Sequence, residues 1–319
     1  MTATPVPVPT VDRLALGLAA LGRPAYINVG SADALPQHRT VDEFRAASWA
    51  VLDAAYAAGL RWVDVARSYG RAEEFLAGWL ADRGHDDITV SSKWGYTYVG
   101  EWRTDVAVHE VKEHSLARFR TQLAETRALL GDRLALYQVH SLTVDSPLFD
   151  QPELIRELAE LAAGGVRVGF STSGPAQADT VRKGLAVEVD GRRVFTSVQS
   201  TWNPLETSVG SALADAHREG VLVLVKEPLA NGILVVSPPE PVAELAARHQ
   251  VGPDAVALAA ALAQPWADRV LLGPASVDQL DSNLSATNIR FTTGDLNALI
   301  PIVQLPERYW SNRSALHWV

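Results

Sequence analysis

Short apolar stretches, mostly rich in β-branched residues, alternate with longer segments whose apolar positions recur every three or four residues, almost to the end of the chain. The short stretches predict strands at Leu14 to Gly17, Trp62 to Asp64, Ile88 to Lys93, Ala135 to His140, Val166 to Ser171, Thr196 to Gln199, Val221 to Lys226 and Val270 to Gly273. Helical spacing covers Val41 to Ala58, Ala72 to Asp82, Glu110 to Leu130, Pro152 to Ala163, Ala176 to Leu185, Ser208 to Glu219, Pro241 to His249, Pro253 to Ala263 and Val277 to Ser285. Strand and helix repeated in this way imply parallel pairing through right-handed crossovers. Eight evenly spaced strands favour closure, because a closed sheet has no edge. The expected fold is therefore α/β, a single-domain (β/α)8 TIM barrel. It should occupy residues 11–319, ending in a substrate-loop tail, with residues 1–10 a flexible Pro-rich segment. A doubly wound dinucleotide fold is disfavoured, since Gly17-Leu-Ala-Ala-Leu-Gly22 lacks the Gly-x-Gly-x-x-Gly spacing. Asp190-Gly191 between two valines predicts a small hairpin ahead of the sixth strand.

Composition narrows the function classes. The net charge of −9 and the absence of any Lys/Arg run make nucleic acid and anionic membrane surfaces poor partners. No cysteine is present, which excludes disulfides, thiolate nucleophiles, iron–sulfur clusters and cysteine-ligated zinc, and fits a reducing, cytoplasmic setting. The longest apolar runs, Val221 to Val225 and Ala255 to Ala263, fall far short of the roughly 20 residues of a spanning helix. The uncharged start of the chain does not read as a secretory signal. No metal is expected, since the eight histidines include no His-x-x-x-His pair with a carboxylate partner. The pattern sets no oligomeric state.

In such a barrel the reactive mouth lies where the strands end. The second strand ends on Asp64, followed by Tyr69 and Gly70; the third ends on Lys93 and the fourth on His140. Ends of neighbouring parallel strands sit about 5 Å apart, so these four residues should share one small volume. Singly, each has an ordinary structural use. Together they form an acid device: Lys93 lowers the proton affinity of the Tyr69 phenol, Asp64 keeps Lys93 charged and aimed, and His140 offers an N–H to a carbonyl oxygen.

These residues resemble the aldo-keto reductase family. Asp64-Val-Ala-Arg-Ser-Tyr69-Gly70, followed by Glu74 and Leu76, is similar to its signature around the catalytic Asp and Tyr; Lys93, and His140 in Leu-Tyr-Gln-Val-His, match the rest of its tetrad. The resemblance implies reversible hydride transfer between a nicotinamide and a small carbonyl or alcohol substrate, on a barrel that binds NADP(H), slightly favoured, or NAD(H). It places Asp64, Ser171, Thr172 and Gln199 around the nicotinamide, and Pro228, Leu229, Ala230 and Asn231 along the pyrophosphate. Gly273, Gln279 and Asn283 fall at the adenosine end. Lys226 stands where the family commonly carries a stacking aromatic, and Asp278 and Asp281 would oppose a 2′-phosphate. Trp94, Tyr96, Trp102 and Trp310 are the expected substrate wall. Two other uses of the same parts stay open: a Schiff-base aldolase with Lys93 as nucleophile, and a cofactor-binding regulatory subunit with little turnover.

Overall fold

The computed structural model describes residues 6–318 except 28 and 31. Of the predicted tail, residues 1–5 lie outside the described residues, and residues 6–10 form neither helix nor strand. Eight parallel strands close a barrel: β1 (Leu14–Gly17), β2 (Trp62–Asp64), β3 (Thr89–Trp94), β4 (Leu134–Leu142), β5 (Arg167–Thr172), β6 (Ser197–Thr201), β7 (Leu222–Lys226) and β8 (Arg269–Leu272). Each pairs with the next in chain order and β8 returns to β1, so no barrel edge is left open. All eight strands expected from the pattern are present, displaced by at most two residues at their ends.

Helices pack around the outside. Among them α1 (Val41–Ala57) is capped by the Thr40 hydroxyl, which accepts from the Glu43 amide at 3.2 Å. The next helix, α2 (Ala72–Arg83), is anchored through buried Glu73, which takes hydrogen bonds from Arg67, Ser92 and Thr126 at 2.6, 2.5 and 2.9 Å. The expected helix from Glu110 to Leu130 is shorter than its periodicity suggested. α3 (Leu116–Leu130) starts after Ser115, whose hydroxyl accepts from the Arg118 amide at 3.1 Å and caps it. Glu110–Lys112 instead pairs antiparallel with Tyr96–Tyr98, a hairpin beyond the end of β3. The hairpin foreseen at Asp190-Gly191 forms between Glu188–Val189 and Arg192–Arg193, with both turn residues at positive φ. Two helices not expected from the pattern, Thr293–Ala298 and Pro306–Ser314, close the chain. Among the described residues no helix is long and apolar enough to cross a membrane.

The turn between β2 and α2 is fixed by close backbone approach. The Arg71 amide donates to the Gly22 carbonyl at 2.7 Å, and Gly70 sits at φ 58°. A Cβ on Gly22 would stand 2.2 Å from the Tyr69 carbonyl oxygen, and one on Gly70 would stand 2.4 Å from the Gly22 carbonyl oxygen. Gly22→Ala is therefore expected to displace this turn and cost about 1–3 kcal/mol, as overpacked sites do. Urea unfolding monitored by circular dichroism checks this, and an unchanged midpoint would refute the close approach.

Candidate active site

The end of β2 places Asp64 opposite Ser91 of β3, and Lys93, two residues further along β3, projects to the same side of the sheet. Both charged side chains are almost wholly buried, and the Lys93 ammonium donates to Asp64 Oδ2. Lys93 also donates to the Val65 carbonyl at 3.1 Å. Asp64 Oδ1 accepts from the Ser91 hydroxyl at 2.7 Å, and from the amides of Gln138 on β4 and Gln199 on β6, each at 3.3 Å. Four strands thus satisfy one buried ion pair, as such a pair requires to be tolerated away from water.

Tyr69 follows on the braced turn, and the Lys93 nitrogen lies 4.8 Å from its ring centre. The expectation that the phenol is made more acidic by its surroundings needs correction. Burial pushes the Tyr69 phenol well above its ordinary range, and the Asp64 carboxylate pushes the same way. The phenol is thus held neutral, which is the form a proton donor must have.

His140 meets Tyr69 edge to face, with ring centres 5.5 Å apart. Its Nδ1 is 3.3 Å from the Ser68 hydroxyl; a proton donated from Ser68 leaves Nε2–H as the ring's donor. Burial and the charges of Lys93, Lys226 and Arg23 hold His140 well below its ordinary range, so it is neutral. The pairing of β4 with β5 shifts register between Val139 and Leu142, with Ser141 at φ 53°. That kink is held by Lys112 donating to the Ser141 carbonyl at 2.8 Å, by the Ser141 amide donating to Ser171 Oγ at 2.8 Å, and by His114 Nε2, 2.9 Å from the His140 carbonyl oxygen.

One cleft at the barrel mouth gathers Asp64, Tyr69, Tyr96, His140, Gln199, Lys226, Pro228, Leu229, Asn231 and Gly273 from the residues expected to act. Others are elsewhere. Trp94 packs away from the cleft against Phe119, ring centres 5.1 Å apart, because it follows inward-facing Lys93 and strand side chains alternate. Trp102 donates its indole N–H to the Arg39 carbonyl at 2.7 Å and packs edge-on against Phe44. Trp310 lines a separate shallow groove beside Ser173 and Pro175. Ser171 is occupied by the Ser141 amide, and the Thr172 hydroxyl is buried against Ser200 at 2.7 Å, so Ser173 is the residue after β5 that reaches the cleft. Ala230 is buried behind the cleft wall. Gln279 accepts from the Ala275 amide at 2.8 Å and braces the turn after β8, while Asn283 donates to Asp254 at 2.7 Å and ties its helix to the start of the helix Pro253–Leu262.

Several cleft residues did not stand out in the sequence, namely Arg23, Tyr26, Glu110, Glu227 and Arg313; Trp318, from the aromatic-rich end of the chain, lines the cleft with them. Glu227 pairs with Arg313 of the C-terminal helix and accepts from Thr201 at 2.9 Å. Burial opposes its ionisation, yet Arg313 and Lys226 hold it well below the usual carboxylate range. Lys226 donates to Thr201 Oγ1 at 2.7 Å, lies 3.5 Å from Glu227, and is pushed down to about 8 by burial. Among the described residues no group of three or more His, Cys, Asp or Glu could hold a metal ion.

A family model described as the Aldo/keto reductase family matches residues 14–303. The chain is 25% identical to aldo-keto reductase str7 of Strobilurus tenacellus, over 92% of this chain and 88% of that protein. It is 26% identical to the uncharacterized oxidoreductase YqkF of Bacillus subtilis strain 168, over 78% of this chain and 85% of that protein. Among solved structures it is similar in fold to aldo-keto reductase AKR11C1 from Bacillus halodurans in its holo form, with a TM-score of 0.65, 21% identity and 92% of each chain covered. It is also similar to a putative 2,5-diketo-D-gluconic acid reductase B, with a TM-score of 0.63, 20% identity, and 92% of this chain and 88% of that one covered.

The support beneath His140 has a measurable pH signature. His114 is pushed down from its ordinary 6.5 to about 4, first by burial and then by Lys112. The unfolded chain takes up this proton before the folded one, so stability is complete above pH 6.5 and is lost as pH falls toward 4. The expected loss from this group is about 3 kcal/mol by pH 4. Urea unfolding between pH 7 and 4 should show it, with a shallower slope in His114→Gln; equal slopes would refute the assignment.

Proposed function

The chain belongs to the aldo/keto reductase family, and we propose that it is an NAD(P)H-dependent carbonyl reductase, able to run in reverse as an alcohol or aldose dehydrogenase. The observation that carries this reading is the buried Lys93–Asp64 pair beside Tyr69, with neutral His140 across the same cleft. In the proposed roles, His140 orients a carbonyl oxygen and Tyr69 delivers a proton to it as negative charge develops there. Lys93 stabilises the phenolate left behind, and Asp64 holds Lys93 in place. In the oxidative direction Tyr69 is the base.

Residues fit a dinucleotide along the other side of the cleft. The Asn231 Oδ1 is buried without a partner among the described residues, while its Nδ2 donates to the Ile27 carbonyl at 3.1 Å. Glu227, Ala230 and Asn231 all sit at positive φ, an arrangement strained for side-chain-bearing residues and suited to presenting backbone to a ligand. Gln199, Pro228, Leu229, Asn231 and Gly273 are the proposed contacts, with NADP(H) slightly favoured over NAD(H); the holo form of the Bacillus halodurans relative is in keeping with a bound cofactor. When bound, this cofactor supplies or accepts the hydride. Lys226, partly buried and tied to Thr201, takes the place of a stacking ring at the end of β7. An aldolase role for Lys93 is disfavoured, because a nucleophilic amine must be neutral and this one is paired with a carboxylate.

Lys93→Met and Tyr69→Phe are each expected to lower kcat by roughly 10²–10⁴-fold with NADPH affinity largely kept. Absorbance at 340 nm with a panel of aldehydes and ketones, alongside fluorescence titration with NADPH and with NADH, measures both. A fully active Lys93→Met variant would overturn these roles. An intact protein that binds nucleotide yet turns over no carbonyl would favour a regulatory subunit.

A further inference from the structure

The substrate side of the cleft contains a charged pair that hydride transfer does not require. Arg23, in the loop after β1, is 2% exposed, and its guanidinium carbon lies 4.9, 5.4 and 4.6 Å from the ring centres of Tyr26, Tyr69 and Trp318. Its Nη1 donates to the Ser68 carbonyl at 2.8 Å and to Glu110 Oε2 at 2.7 Å. Arg23 Nε is buried and has no hydrogen-bond partner among the described residues. Glu110 is 23% exposed and lines the same cleft as Tyr69 and His140. Among the described residues no donor reaches its Oε1. The ion pair therefore keeps unused hydrogen-bonding capacity on both partners, in the same cleft as the Tyr69 phenol.

Three classes of substrate would meet this wall differently. An alkyl aldehyde would strip water from the pair and return no hydrogen bond, leaving buried polar groups uncompensated. A carboxylate-bearing carbonyl would find the guanidinium already neutralised and a second carboxylate beside it. A neutral hydroxylated chain matches it: a hydroxyl donates to Glu110 Oε1 and accepts from the guanidinium beside it, while the Tyr26 and Trp318 rings cover C–H faces. Resting on the carbonyl-reductase reading above, we propose that Arg23 and Glu110 form a hydroxyl-recognition subsite that selects polyhydroxylated, sugar-type carbonyl compounds over alkyl or carboxylated ones.

The test compares kcat/KM for glyceraldehyde, propanal and succinic semialdehyde. The wild-type protein should favour glyceraldehyde over each of the others at least tenfold. Glu110→Ala should bring the glyceraldehyde-to-propanal ratio toward one, chiefly through the KM for glyceraldehyde, and Glu110→Gln, which keeps an acceptor oxygen, should retain most of the preference. Circular dichroism melts verify that both variants fold. A wild-type ratio near one, better turnover of succinic semialdehyde, or an unchanged ratio in Glu110→Ala overturns the subsite while leaving the reductase reading intact. If no aldehyde is turned over, the reductase reading fails and calorimetry decides the subsite. Tighter binding of xylitol than of 1,5-pentanediol in the presence of NADPH, weakened by Glu110→Ala, upholds it; equal binding overturns it.

Discussion

A lysine ammonium and an aspartate carboxylate withdrawn from water must be given back nearly all that hydration supplied, or one of them discharges. Lys93 and Asp64 meet that demand only because the barrel closes. The Ser91 hydroxyl, the Gln138 and Gln199 amides and the Val65 carbonyl come from separate strands or their ends, and no two neighbouring strands could supply all of them. The pair is thus a reason for the fold's precision at the mouth as well as a product of it. Replacing either partner alone would strand a buried charge, which is why such a pair constrains its surroundings more than it stabilises them.

The electrostatics of the cleft follow from that pairing. Asp64 is matched with Lys93, Glu110 with Arg23, and Glu227 with Arg313, leaving Lys226 to share Glu227 and lean on Thr201. Titratable groups standing between these pairs are kept uncharged: His140 by burial and the surrounding cations, Tyr69 by burial and the nearby carboxylate. A neutral imidazole and a neutral phenol are both hydrogen-bond donors, and both face the cleft. The arrangement favours donating to an oxygen that gains negative charge over binding an anion already formed.

Strand positions, barrel closure and the gathering of Asp64, Lys93 and His140 near strand ends, with Tyr69 on the turn after β2, were legible because each depends on local pattern or on the end of an element. Side-chain direction was partly legible and was misread. Alternation along β3 already requires that an inward Lys93 be followed by an outward Trp94, and the same parity separates Ser171 from Thr172. The helix expected from Glu110 failed for a local reason, the capping serine at 115 and a strand partner at Tyr96–Tyr98. The direction of the Tyr69 shift could not be read from residue types, since it turns on how deeply the phenol is buried and on which charge is already neutralised. Arg23 and Glu110 were invisible for another reason: they are 87 residues apart and meet only where two loops cross the mouth.

That meeting is not independent of the acid site. The Gly22 carbonyl accepts from the Arg71 amide, and the Arg23 guanidinium donates to the Ser68 carbonyl. The loop that carries Arg23 and the turn that carries Tyr69 therefore share a backbone brace, tight enough that neither Gly22 nor Gly70 has room for a methyl group. A change in one loop is transmitted to the other by contact, without any domain motion. In this fold, then, the group that would give up the proton and the group that would choose the substrate are positioned by the same few peptide bonds, and evolution of one is constrained by the geometry of the other.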